Sequence, residues 1–221
     1  MTMALVLIGL TLIGSLSPLL TLARLFQLKE WRFDRLLEHL RQEGWIGQLV
    51  GNIRPAIIAV YGLSLLAMIF VDRHQEWLLL FIALGLLALL TLVQCILRKQ
   101  HVPVWTKKTV LLVATSMILT VFASIATLVL SPFALVVLPL LQPLLLTLCL
   151  LLFLPLDAAL KARILQQAMQ LREKYVNLTV IGITGSFGKT TTKELLATVL
   201  QGLNPLVTPE HVNTEMGVAQ W

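Results

Sequence analysis

Residues Leu178 to Leu200 read LTVIGITGSFGKTTTKELLATVL. Gly182, Gly185 and Gly188 recur at every third position, and Lys189, Thr190 and Thr191 follow directly. Glycines let a tight turn aim backbone amides at phosphate oxygens, and a helix starting after the turn points its positive end at the same place. A lysine there is placed to reach the β- and γ-phosphates, and the Thr190 hydroxyl is placed to bind magnesium. The strict pattern G-x-x-x-x-G-K-[ST] is not met, because Ile183 holds its first glycine position. What remains is G-x-x-G-x-x-G-K-T. The chemistry these residues could do is to grip a nucleoside triphosphate.

Such a loop works only between a strand and a helix. Val176–Ile183 is short, β-branched and bounded by glycine, which predicts a buried parallel strand. Lys189–Gln201 has helical spacing and is ended by Gly202. A second strand is expected near Leu206–Thr208. Together these would form the start of an α/β P-loop domain spanning residues 176–221. Before it, Asp157–Tyr175 places Leu160, Ile164, Ala168, Leu171 and Tyr175 at helical spacing among charged and amide residues. That segment is read as a juxtamembrane helical linker, either rising from a bilayer or lying in its interface plane.

The rest of the chain is of another kind. Of 221 residues, 57% are hydrophobic and 13% charged, with mean hydropathy +0.88. Ordinary soluble domains run about 45–50% apolar and about 25% charged, so residues 1–156 are expected to form an α-helical polytopic membrane domain. Five runs are long enough to be considered as spans: Met3–Ala23, Pro55–Val71, Trp77–Leu97, Thr109–Leu130 and Phe133–Leu156. The first has no basic residue before it and no convincing small-x-small site, which speaks against a cleavable signal peptide. None of the five contains Asp, Glu, Lys or Arg well within it, which argues against a pump or ion-coupled transporter. Gln94 and Gln142 are expected to make helix–helix hydrogen bonds.

The net charge of +6 comes from basic residues clustered between apolar runs. That pattern orients membrane helices and does not call for a nucleic-acid partner. With the amino terminus outside, 16 of the 17 Lys and Arg residues fall on the inner side, Arg73 being the exception. The glycine-rich tail is then cytosolic, where ATP is. Cys95 and Cys149 sit in apolar runs without a partner at motif spacing, and the four histidines show no ligand pattern.

The three-glycine loop resembles the form found in the Mur ligase family. The likeness extends through GITGSFGKTTTKELLATVL, the segment Pro205-Leu-Val, and Thr208-Pro-Glu-His-Val-Asn213-Thr-Glu-Met-Gly217-Val, about 45 residues. It is similar to the branch that adds D-alanyl-D-alanine to a UDP-muramoyl tripeptide and to that branch's membrane-anchored relatives. The resemblance implies a membrane-anchored, ATP-dependent ligase of peptidoglycan precursor synthesis in the bacterial cytoplasmic membrane, forming an amide through an acyl phosphate. It implies ATP and Mg2+ as cofactors, and a muramoyl-peptide or lipid-linked cell-wall precursor as partner. Carried across by position, Gly185, Ser186, Phe187, Gly188, Lys189, Thr190 and Thr191 would hold the triphosphate, with Thr190 on the metal and Lys189 acting in catalysis. Asn213 matches a position near nucleotide and metal, although an Asn there equally suits a turn. Thr214 departs from the Asn-Asn pair common in that branch, which leaves the substrate open. Membrane helices replace the family's soluble sugar-nucleotide domain. The chain is expected to be an amino-terminal part of the enzyme, inactive alone. The competing expectation is a polytopic transport or sensory protein driven by a P-loop NTPase.

Overall fold

The computed structural model describes residues 2–70, 75–210, 212 and 214–221. Nine α-helices are found among the described residues: α1 (Thr2–Leu28), α2 (Phe33–Glu43), α3 (Trp45–Leu49), α4 (Ile53–Met68), α5 (Glu76–Ile96), α6 (Lys107–Leu130), α7 (Leu138–Lys174), α8 (Lys189–Val199) and α9 (Glu215–Gln220). Short 3-10 turns cover Pro132–Val137 and Gln201–Leu203. The chain divides into two compact units, Met1–Leu152 and Phe153–Trp221, and α7 runs through the boundary between them.

Among the described residues four segments are long and apolar enough to cross a membrane: Thr2–Leu28, Glu76–Ile96, Lys107–Leu130 and Pro132–Lys174. The sequence leads one to expect five. The second run instead forms α4, 16 residues long, or about 24 Å of helix at 1.5 Å per residue. A hydrocarbon core is about 30 Å thick. Val71, the expected end of that run, lies outside the described residues.

In the first unit α1 packs chiefly on α5, and α4 lies against α5. Gly14 makes the first approach close, since a Cβ there would stand 3.3 Å from Leu87 Cβ. Leu7, Tyr61, Leu80, Leu84, Leu87, Leu135 and Val136 form one buried cluster.

Small polar residues also face inward: Thr11, Ser15 and Ser17 on α1, Thr91 on α5, Ser116, Thr120 and Ser124 on α6, and Gln142 on α7. Without water, each hydroxyl must find an acceptor inside the protein. Several use their own helix: Thr11 donates to Leu7 O (2.8 Å), Thr120 to Ser116 O (2.8 Å) and Ser124 to Thr120 O (2.7 Å). Pro18 sits inside α1 and lacks the N–H that would bond to Gly14 O. The Thr91 hydroxyl donates to that carbonyl at 3.4 Å. Both amides, buried Gln142 and half-buried Gln94, bond between helices. Gln142 Nε2 donates to Thr120 Oγ1 at 2.7 Å, and Gln94 Oε1 accepts from Ser17 Oγ at 2.7 Å.

The second unit corrects one expectation. No strand occurs among its described residues; Val176–Ile183 and Leu206–Thr208 are irregular. An extended run keeps strand geometry by pairing its amides and carbonyls with a neighbour, and no described segment pairs with either run. The expected start of an α/β domain is therefore not shown; what the described residues hold is a glycine-rich loop followed by α8. Residues 157–174 are helical, as the final part of α7.

Candidate functional site

The loop joining residue 182 to α8 is built by its glycines. Gly185 has φ +149° and Gly188 φ +75°, conformations that favour residues without a Cβ. At Gly188 the left-handed turn reverses the chain into α8. The first intrahelical bond there runs from Thr192 N to Gly188 O at 2.8 Å. The amides of Lys189, Thr190 and Thr191 precede that bond and are the donors a helix start leaves without intrahelical partners. Gly188 contributes no side-chain cap to them.

Ser186 and Phe187 form the tip, Phe187 being 96% exposed. Lys189 Nζ folds back to donate to the carbonyl of Gly185, so the ammonium lies across the loop. Thr190 and Thr191 occupy the first turn of α8. Lys193 Nζ, one turn further, donates to Thr208 O at 2.7 Å and ties α8 to the segment that follows it. Thr214 Oγ1 accepts from Gly217 N at 3.1 Å and caps α9. Gly185 through Thr191 thus form one contiguous stretch, a loop to Gly188 and the first turn of α8 from Lys189. Asn213 lies outside the described residues.

This arrangement fits a phosphate. It offers uncapped amides, the positive end of a helix dipole and an ammonium, and no Asp or Glu occurs between Gly182 and Thr191. For a magnesium ion the loop supplies a single hydroxyl, Thr190. Among the described residues no group of three His, Cys, Asp or Glu could hold a metal. Mg2+ commonly completes its shell with substrate phosphates and water, so one hydroxyl is compatible with a phosphate-borne ion. A cleft of about 580 Å³ lies at the other end of α8, lined by Thr198, Gln201 and Pro205 among others, and does not include the loop.

A residue that sequence reasoning passed over is Arg54. Read as one more basic residue ahead of an apolar run, it proves to belong to the first turn of α4 and is only 3% exposed. Its Nη1 donates to Val50 O at 3.0 Å. Its Nη2 donates to Gln94 Oε1 at 3.0 Å and reaches Thr91 Oγ1 at 3.4 Å. The one signal available in the sequence was position, since Arg54 directly precedes Pro55 and the apolar run.

No family model and no solved structure matches the chain. A 41-residue stretch is 58% identical to UDP-N-acetylmuramoyl-tripeptide–D-alanyl-D-alanine ligase of Mycobacterium leprae (strain TN). The match covers 18% of this chain and spans 8% of the length of that ligase.

Proposed function

We propose that this chain carries the membrane-embedded part and the nucleotide loop of an ATP-dependent, amide-bond-forming ligase of peptidoglycan precursor synthesis. The observation that carries the reading is the coincidence of two features. One is the 41-residue likeness to a Mur ligase; the other is a loop whose glycines, lysine and uncapped helix start suit a triphosphate. In this reading the amides of the loop and of the first turn of α8 bind phosphate oxygens. Lys189 leaves the Gly185 carbonyl to neutralise charge on the γ-phosphoryl group as it moves. Thr190 offers its hydroxyl to magnesium. ATP supplies the activation of a substrate carboxylate, which an incoming amine then attacks.

The helices occupy the place where the family carries a soluble sugar-nucleotide domain, and this favours a lipid-linked acceptor. The test is amide formation by the full-length protein, assayed with a lipid-linked and a soluble nucleotide-linked precursor. ATP-dependent product with the lipid-linked acceptor, lost in Lys189→Ala, is expected. Equal or better turnover of the soluble acceptor after removal of residues 1–156 would overturn the lipid-linked part. The distribution of basic residues supports a cytosolic tail, which requires α4, short as it is, to cross the bilayer along with the four longer segments. A reporter fused after Lys174 should therefore behave as cytosolic and one fused within residues 72–76 as external.

A further inference from the structure

Between α5 and α6 the chain forms a strap, residues 97–106, laid along α1. Gln100 Nε2 donates to Ser17 O and to Thr21 Oγ1, both at 3.2 Å. Arg24 Nη1 donates to Val102 O at 3.0 Å. Gln27 holds Val104 at two points, donating to its carbonyl at 3.0 Å and accepting from its amide at 2.8 Å. Ser17, Thr21, Arg24 and Gln27 follow one another at three- and four-residue spacing, which puts them on one face of α1. The strap thus runs along the last turns of that helix with its backbone tied down.

What the strap leaves outward is cationic and apolar. Residues 97–109 hold Arg98, Lys99, Lys107 and Lys108 and no Asp or Glu. Arg98, Lys99 and Lys107 are exposed, and among the described residues no carboxylate pairs with any of them. The carboxylates just past the end of α1 are engaged elsewhere, Glu30 with Arg35 at 2.7 Å and Asp34 with Arg32 at 2.6 Å. The first turn of α6 has no acidic residue to offset its lysines, and cations at that end oppose the helix dipole. Among these charges Val104 and Trp105 are 71% and 55% exposed.

The depth of the strap follows from the helices it touches. α5 and α6, which it joins, and α1, which it follows, are all of membrane length. The 27 residues of α1 make about 40 Å of helix, against a hydrocarbon core of about 30 Å. Arg24 and Gln27 mark the end that emerges, so the strap bound to them lies among lipid headgroups. Tryptophan is enriched at that depth, and anionic phospholipids attract lysine and arginine there. A nucleic acid or an acidic protein could neutralise the cations only from the water side. A phospholipid can do both things at once, setting its phosphate on the cations and its upper acyl carbons against Val104 and Trp105.

We propose that residues 97–108 are a binding surface for anionic phospholipid, with Arg98, Lys99 and Lys107 on the phosphates and Val104 and Trp105 beside the upper acyl carbons. This goes beyond the ligase reading and requires only that α1, α5 and α6 span a bilayer.

The test titrates the full chain in detergent with phosphatidylglycerol and with phosphatidylcholine, followed by native mass spectrometry. Phosphatidylglycerol is expected to bind at least about tenfold more tightly, and the preference should shrink as salt rises. Arg98→Gln, Lys99→Gln and Lys107→Gln together should abolish it. Arg41→Gln, Arg163→Gln and Lys174→Gln, at exposed positions outside the strap, change the net charge equally and should preserve it. Equal affinity for the two lipids, an unchanged preference in the strap variant or an equal loss in the control variant would overturn the site. A phosphatidylglycerol with a photoreactive headgroup probes the wild-type chain, so the outcome does not hang on the folding of a variant. Labelling within residues 97–108 is expected, and labelling confined to other segments would overturn the site. Displacement of the lipid by an oligonucleotide at constant ionic strength would overturn the choice of partner. Neither ATP nor ligation enters the readout, so a negative result leaves the glycine-rich loop standing, and a failed ligase assay leaves this test valid.

Discussion

The two units of this chain invert each other. Within Met1–Leu152 the sequence carries no catalytic motif, yet side chains are buried, helices approach closely and most inward-facing hydroxyls find acceptors. Within Phe153–Trp221 lies the stretch with the strongest chemical pattern, yet not one described residue is buried. Motif and core are separate properties. Glycines and a lysine fix what a loop can touch, whereas burial fixes how firmly it is held.

The largest expected effects lie at the loop. Under the ligase reading, Lys189→Ala in the full-length protein should lower acceptor-dependent phosphate release by roughly 100-fold, the scale for removing one charge-stabilising donor. Residues 1–221 alone should show neither tight ATP binding nor ATP hydrolysis, because nothing buried holds the amides in place. Isothermal titration and phosphate-release assays check both. Substantial hydrolysis by the shorter chain, abolished by Lys189→Ala, would erase the contrast between the units.

In the helical unit the expected effects are ones of packing. Gly14→Leu forces α1 away from α5 at the Leu87 contact and should cost about 1–3 kcal/mol, the range for overpacking a filled core. Unfolding in mixed micelles would measure it. Gln142→Leu keeps volume but removes the 2.7 Å bond to Thr120, whose hydroxyl still donates to Ser116 O. Interhelical bonds of this type contribute about 0.6–2 kcal/mol, so the same assay should register a smaller loss.

The smallest effect belongs to the surface. Arg32 donates to Asp34 at 2.6 and 3.1 Å, and this pairing holds the Asp34 carboxyl below its ordinary range and raises Arg32. A carboxyl lowered in the folded state contributes stability above its unfolded value and loses it as pH falls through the folded one. Both side chains are more than half exposed. The pair should therefore be visible as a low Asp34 titration by NMR, while Asp34→Asn leaves the midpoint of unfolding unchanged within error.

Composition and run length made the four membrane-length segments legible, and glycine spacing made the loop legible, since both are local properties. The α4 helix is shorter than its apolar run, since Ile69 and Phe70 extend that run beyond the helix end at Met68. The strands failed for the opposite reason. A β-branched run states a preference, but only a pairing partner realises it. Arg54 was illegible for a non-local reason. In sequence it belongs to a basic stretch, and its burial depends on Thr91 and Gln94, 37 and 40 residues further along the chain.

Those separations also set an order of events in biogenesis. Thr120 and Ser124 bond to carbonyls of their own helix, so α6 can enter hydrocarbon as soon as it is made, with only the Ser116 hydroxyl among its buried ones awaiting a neighbour, Gln142 on α7. Arg54 cannot do the same for α4, because the Thr91 and Gln94 oxygens that receive it are still inside the ribosome as Arg54 emerges. The helix has therefore to linger at the membrane surface until α5 follows, and the two go in as a pair. A nascent chain arrested before residue 91 should leave α4 extractable by alkali, and one arrested well beyond α5 should not.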